Sequence, residues 1–383
     1  MQIPLTPTSE VEQLVAAARP LSGGQIPTNL AHRLGATHYD GRYCFTDRPY
    51  LLEGCQALYD LGLRVAKLWF GRRLPGYSYN SAWDDHPMAS LADVARHPYF
   101  VEAFAMPFST FVLEIHPVHG HSGSRFNDAA DFSDDEAQFY ELVTYLLQTY
   151  AERDVTFILQ NWEGDWMIRD YAGQLWDVPP EDTLERCDAM ARWFAARQAG
   201  VDRARAERPN SRCRVFHAAE VNRVLDSLQG IPTLTTHVLP HVAVDMVSWS
   251  CYDGMGSAVD TWHGLDIIEH HARTMPGQKE PVVFIGEIGL PEQGRSQESI
   301  VEWWDRAMGV FLARQIPYII HWELYCNEPV DGNKRDRSVL DAESLRGFWL
   351  IRPDGSLSHA ATFLTRLLQH AGGRLDGPGS LSV

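Results

Sequence analysis

The stretch "FIGEIG", residues 284–289, sets a carboxylate inside an otherwise apolar run. Glu287 stands among Phe284, Ile285 and Ile288, with glycine at 286 and 289. Strand interiors disfavour both glutamate and glycine. Glycine also suits the close approach of a ligand. The run therefore reads as a buried strand that presents an acid at its tip. The competing reading is a structural ion pair between Glu287 and Lys67 or an arginine.

Working outward, the same kind of apolar, β-branched run recurs along the chain. Strands are expected at 31–37, 63–69, 109–116, 154–161, 213–219, 243–250, 281–287 and 316–322. Each is short and apolar enough to be covered on both faces, as parallel strands are. Helical spacing appears at 50–61, 133–151, 181–207, 261–273, 296–314 and 356–371, and Ser133 with Glu136 has the spacing of a capping box. The alternation predicts an α/β fold, a (β/α)₈ TIM barrel. Such barrels need about 250 residues. The excess over that length falls into long βα loops at 70–90, 117–132, 162–180 and 323–345. A doubly wound open sheet is the alternative, but no G-x-G-x-x-G or Walker pattern follows the first strand. No Pro/Gly/Ser-rich linker divides the chain. The reading is one barrel over residues 1–372, its core about 30–370, with a flexible tail at 373–383.

Composition narrows the partners. The 383 residues carry a formal charge of −17, and a basic patch for nucleic acid or an anionic membrane is not expected of such a chain. The six cysteines, at 44, 55, 187, 213, 251 and 326, form no C-x-x-C pair and read as reduced thiols. The first residues lack a basic segment followed by an apolar one, and no run is long enough to span a membrane, so a cytoplasmic protein is expected. Oligomeric state leaves no signal in the sequence.

Chemistry in such barrels gathers where strands end and βα loops begin. Those positions hold Lys67 and Trp69, then Glu114 and His116. After them come Asn161, Trp162 and Glu163, then His217 and Glu220. The last strands offer Trp249, Ser250 and Tyr252, then Glu287, then His321, Trp322 and Glu323. Two carboxylates on separate strands of one rim suit glycoside hydrolysis, one as acid/base and one as nucleophile or base. Glu163 ends the fourth strand and Glu287 the seventh, facing each other across the mouth.

In order and position, "QNWEGDW" (160–166), "FIGEIG" (284–289) and "IIHWELY" (319–325) resemble clan A glycoside hydrolases, the retaining barrels that include cellulases, mannanases and β-galactosidases. The resemblance covers residues from about 30 to about 370. It implies a retaining hydrolase of a β-glycoside or short oligosaccharide, with Glu287 as nucleophile and Glu163 as general acid/base. It implies no cofactor and no metal, and a carbohydrate partner. Asn161 resembles the asparagine that bonds the sugar 2-hydroxyl. Tyr252 resembles the tyrosine that donates to the nucleophile. Lys67 stands where the clan has an arginine, and His116 resembles a histidine near the sugar. Trp322 is the expected platform under the sugar. Trp69, Trp162, Trp249, Glu220 and Glu323 complete the expected substrate contacts.

The chain departs from the pattern in three places. Trp162 separates Asn161 from Glu163, strand six carries Ser250-Cys251-Tyr252 rather than His-x-Tyr, and lysine replaces arginine at 67. In a plain strand Asn161 and Glu163 share a face, so a bulge or local turn is needed there. Two other readings stand beside this one: a carbohydrate-binding barrel without activity, and a metal-dependent barrel hydrolase using His119 and His121 of "HPVHGH" (116–121).

Overall fold

A computed structural model describes residues 3–72, 74–83, 88–118, 131–169, 179–333 and 338–375. Eight parallel strands close into a barrel in sequence order. They are β1 (Leu34–His38), β2 (Val65–Gly71), β3 (Thr110–His116), β4 (Thr156–Gln160), β5 (Arg214–Val221), β6 (Met246–Ser250), β7 (Val283–Ile288) and β8 (Ile319–His321). Closure is the pairing of β1 with β8, Leu34 opposite Ile319 and Ala36 opposite His321. All eight expected strands are present, β1 three residues later at its start than the sequence suggests.

Strand residues two apart share a face, and this parity builds the barrel interior in layers. Val65, Val112, Ile158, Ala218, Met246, Phe284 and Ile320 pack together as an apolar floor. Two residues further along the same strands stand Lys67, Glu114, Gln160, Glu220, Ser248 and Gly286. Lys67, Gln160 and Ser248 all reach Glu220. A charged layer therefore sits directly on an apolar one, on the C-terminal side where barrels carry their chemistry.

Around the barrel run α1 (Thr8–Ala18), α2 (Tyr50–Asp60), α3 (Leu91–Arg96), α4 (Pro98–Ala105), α5 (Ser133–Thr149), α6 (Gly164–Ile168), α7 (Thr183–Glu207), α8 (Leu234–His237), α9 (Ala258–His271), α10 (Gln297–Ala313) and α11 (His359–Gln369). The six expected helices are present as α2, α5, α7, α9, α10 and α11. Helices α1, α3, α4, α6 and α8 were not expected. Helix α1 docks on α10, where Arg19 Nε meets Asp305 Oδ2 at 2.6 Å. The capping box at 133 does not form: Phe132 is the N-cap residue, and Ser133 bonds Asp131 instead. Of the expected tail, residues 373–375 are held in place. Gly373 O accepts from Ile26 N at 3.0 Å, and Leu375 is buried. Residues 376–383 lie outside the described residues. None of the six cysteines pairs with another. No helix among the described residues is long and apolar enough to cross a membrane.

Candidate active site

The end of β7 resolves the anomaly of "FIGEIG". Trp249 of β6 pairs with Ile285, but Ser250 pairs with Glu287, so Gly286 is an extra residue in the ladder. This bulge brings Glu287 opposite Ser250. No side chain fits at 286: a Cβ there would stand 1.8 Å from Ser248 Oγ and 2.8 Å from Glu220 Oε1. At Gly289 a Cβ would stand 2.3 Å from the Trp322 carbonyl oxygen. The glycines let the strand bend while its neighbours stay close.

Glu163 reaches the same space by a different route. Strand β4 stops at Gln160, one residue short of the expected end, so Asn161, Trp162 and Glu163 follow a turn rather than a pleat. Glu163 has φ 23°, ψ 72° and caps the short helix α6. That positive φ cancels the face parity a plain strand would impose. The turn is pinned to β5. Asn161 Oδ1 accepts from Glu220 N at 2.9 Å, and Glu163 N donates to Glu220 Oε2 at 2.9 Å. Asp165 accepts from Asn222 N at 2.9 Å and from Leu234 N at 2.7 Å.

Both glutamates line a cavity of about 820 Å³ at the barrel mouth. Ser250 Oγ lies 2.6 Å from Glu163 Oε1 and 3.4 Å from Glu287 Oε2. The two carboxylate oxygens are therefore no farther apart than these distances laid end to end, about 6 Å. Glu163 Oε2 accepts from Trp166 Nε1 at 2.7 Å. Glu287 Oε1 accepts from Lys67 Nζ at 2.9 Å. The ion-pair reading of Glu287 thus holds alongside its exposure to the cavity.

Lys67 is the centre of the charged layer. Its Nζ lies 3.0 Å from Glu220 Oε1, 3.2 Å from Gly286 O and 3.3 Å from Glu114 Oε2. Oxygens of Glu114, Glu220 and Glu287 all lie within 4.8 Å of one another, a spacing that suits a cation. The Lys67 ammonium supplies that cation. Its three protons go to its nearest acceptors, and Glu114 is left without a hydrogen bond. Burial pushes the Glu114 carboxyl far above the usual range, against the pull of Lys67, so it stays a neutral acid.

Burial also raises both cavity glutamates above the usual carboxylate range. For Glu287 the opposing pull is that of Lys67, and Glu163 adds to the rise. Two carboxyls this close share one proton near neutrality. Direct contacts favour the charge on Glu287, because it alone of the two touches Lys67. Glu163 meets only neutral donors, Ser250 and Trp166.

The expected substrate contacts divide into two groups. His116, Tyr252, Trp322, Trp69 and Trp162 line the cavity. Trp69 stacks on Tyr39, centroids 4.7 Å apart, and leans on Trp322 at 5.8 Å. Burial lowers His116 to about 4, so it is neutral. Asn161, Lys67, Trp249, Glu220 and Glu323 are not among the residues that line the cavity. Asn161 spends its amide on the Glu220 main chain. Lys67 and Glu220 belong to the charged layer beneath the mouth. Trp249 points outward by strand parity and is packed against α9, where a Cβ on Gly264 would meet its ring at 2.1 Å. Glu323 Oε1 accepts from Asn327 N at 2.7 Å and anchors the loop after β8. Tyr252 lines the cavity without the expected contact. Its hydroxyl makes no hydrogen bond to Glu287, and Ser250 stands there instead. His119 and His121 lie outside the described residues.

Several cavity residues escaped the sequence. Tyr39 and Asn222 stand one residue past β1 and β5 and follow the same strand-end rule as the others. Glu328, Arg346 and Phe348 come from the loop after β8, where no pattern marks them. Glu328 accepts from Trp322 Nε1 at 3.4 Å and pairs with Arg346.

No protein-family model and no curated protein matches the sequence. Solved structures do. A GH5_18 protein from Streptomyces cattleya, in complex with GlcNAc, superposes with a TM-score of 0.54 at 14% identity, over 92% of this chain and 82% of that one. A GH5_18 protein from Bifidobacterium longum subsp. infantis gives 0.52 at 15%, over 90% and 80%. A GH39 β-xylosidase from Caulobacter crescentus gives 0.51 at 13%, over 92% and 74%. At such identities the likeness is one of fold. In fold, the chain resembles the clan A barrels.

Proposed function

We propose that this chain is a retaining glycoside hydrolase acting on a β-glycoside or short oligosaccharide by double displacement. The observation that carries the reading is the single hydroxyl, Ser250, that spans Glu163 and Glu287 and keeps their facing oxygens within about 6 Å. Retaining pairs stand about 5–5.5 Å apart, and inverting pairs about 6.5–9.5 Å. Lys67 holds Glu287 Oε1, which leaves Oε2 to attack the anomeric carbon. Glu163 gives its proton to the departing oxygen as the glycosidic bond breaks. A glycosyl ester on Glu287 results. Glu163, now an anion, takes a proton from water as that water attacks the anomeric carbon, whose bond to Glu287 breaks and frees the carboxylate.

The walls support a sugar. Aromatic faces of Trp69 and Trp322 offer packing to sugar C–H groups, and the cavity volume suits a short saccharide. Arg223 is bound to Asp226 at 2.7 Å, and Arg346 to Glu328, so two of the cavity's cations are already neutralised.

The test is a panel of nitrophenyl β-glycosides, with the anomeric configuration of the first product read by proton NMR. Hydrolysis with a β product is expected. An α first product would replace the reading with inversion, and sugar binding without turnover across the panel would replace it with a binding barrel.

A further inference from the structure

Ser250 has one proton and two carboxylate neighbours, at 2.6 and 3.4 Å. It is fully buried, so no bulk water competes for it. A hydroxyl donates once and accepts elsewhere. Both contacts are therefore hydrogen bonds only when one carboxyl is protonated and donates to Oγ while Oγ–H donates to the other. With both carboxylates ionised the hydroxyl serves one alone. With both protonated it has no anion to serve.

From this geometry we infer that Ser250 is a positioning residue that holds one proton on the Glu163–Glu287 pair and turns its O–H toward whichever carboxylate is the anion. The inference rests on the two-glutamate reading of the site. In the resting enzyme Glu163 O–H donates to Oγ, and Oγ–H donates to Glu287 Oε2. When Glu287 is esterified and Glu163 has lost its proton to the departing oxygen, Oγ–H rotates to Glu163 Oε1, its closer neighbour. No atom leaves Ser250 in either step. Tyr252, which the clan pattern places at the nucleophile, has a buried hydroxyl with no hydrogen-bond partner among the described residues.

Among the described residues, the other charged and titratable groups around the pair are Lys67 on β2, Glu114 and His116 on β3, Glu220 on β5 and Arg223 after it, Tyr252 and Asp253 after β6, Arg295 after β7, and Glu323, Glu328 and Arg346 after β8. All of them remain in a Ser250 variant, so a difference between variant and wild type reads Ser250 itself.

Ser250 stabilises the singly protonated pair against both the doubly ionised and the doubly protonated states. The two apparent pKa values of the pair are therefore spread apart, and Ser250→Ala should bring them together. The experiment is a carbon NMR titration of carboxyl-labelled glutamate in wild type and Ser250→Ala, with Glu163→Gln and Glu287→Gln used for assignment. It needs no substrate, so it reads the coupling even if no glycoside is turned over. The expected result is that the two values converge by about one pH unit or more, the worth of one hydrogen bond to a charged group. Where a glycoside is hydrolysed, the bell of kcat/KM against pH narrows from both sides and kcat falls about ten- to a hundredfold. Ser250→Thr, which keeps the hydroxyl, should restore the spread. An unchanged spread in Ser250→Ala overturns the inference, whether or not its melting temperature falls.

Discussion

The lower and upper layers of the barrel interior are two residues apart on the same strands and obey opposite rules. Below, Val65, Val112, Ile158 and Phe284 are sealed from water and pack within one apolar cluster. Above, Lys67, Glu114 and Glu220 are equally sealed, yet they carry charge or its neutral acid. The floor stabilises by removing apolar area from water. The charged layer does the reverse, because each ion there gives up hydration and regains it only through its partners. The difference shows where this fold concentrates stability and where it tolerates cost to place a reactive group.

The sharpest way to break the comparison is one substitution in each layer. Lys67→Met leaves Glu220 and Glu287 without their cation. We expect a loss of about 3–5 kcal/mol in unfolding free energy and a fall in kcat of about a hundredfold or more. Ile158→Ala, directly below Gln160, should cost about 2–5 kcal/mol with little change in the turnover of folded enzyme. Denaturant unfolding and aryl glycoside hydrolysis read the two effects. If Ile158→Ala lowers turnover as much as Lys67→Met does, the layers are not separate.

A smaller change sharpens the upper layer alone. Trp166 Nε1 donates to Glu163 Oε2 and so favours its ionised form. Removing that donor in Trp166→Phe raises the Glu163 carboxyl further, and the acid stays protonated to higher pH. The alkaline limb of the rate profile should move up by about one pH unit, without the narrowing expected of Ser250→Ala. A limb that stays in place or moves down would show that Trp166 does not act through Glu163.

The same contrast decides what the sequence makes legible. All eight strands show in it, because a strand buried on both faces needs an apolar run. The ends of those strands point to Glu163 and Glu287 for the same reason, since a charge at the edge of an apolar run stands out. The Lys67–Glu287 pair shows only as an alternative reading, and the roles of Glu114 and Glu220 do not show. Their partners lie 153 and 220 residues away from Lys67, and only barrel closure brings them together. The spacing at Trp162 calls for a turn before Glu163, but its positive φ is hidden, for it goes with bonds from Asn161 and Glu163 to Glu220. The bulge at Gly286 is half visible. The glycine signals an irregularity, but the shift of register that sets Glu287 beside Ser250 is a property of two strands. Trp249 misleads for a simpler reason: one step of strand parity turns it from the cavity to the helix layer.

The central claim is that Glu287 forms the bond to the sugar. Its most direct test is Glu287→Gly assayed with added azide, on the nitrophenyl β-glycoside that wild type hydrolyses fastest. Negligible hydrolysis is expected without azide, and with azide a restored rate and an α-glycosyl azide, because the small anion enters the space of the lost carboxylate and inverts the anomeric carbon once. Hydrolysis by Glu287→Gly at the wild-type rate without azide, or rescue giving a β-glycosyl azide, would contradict it.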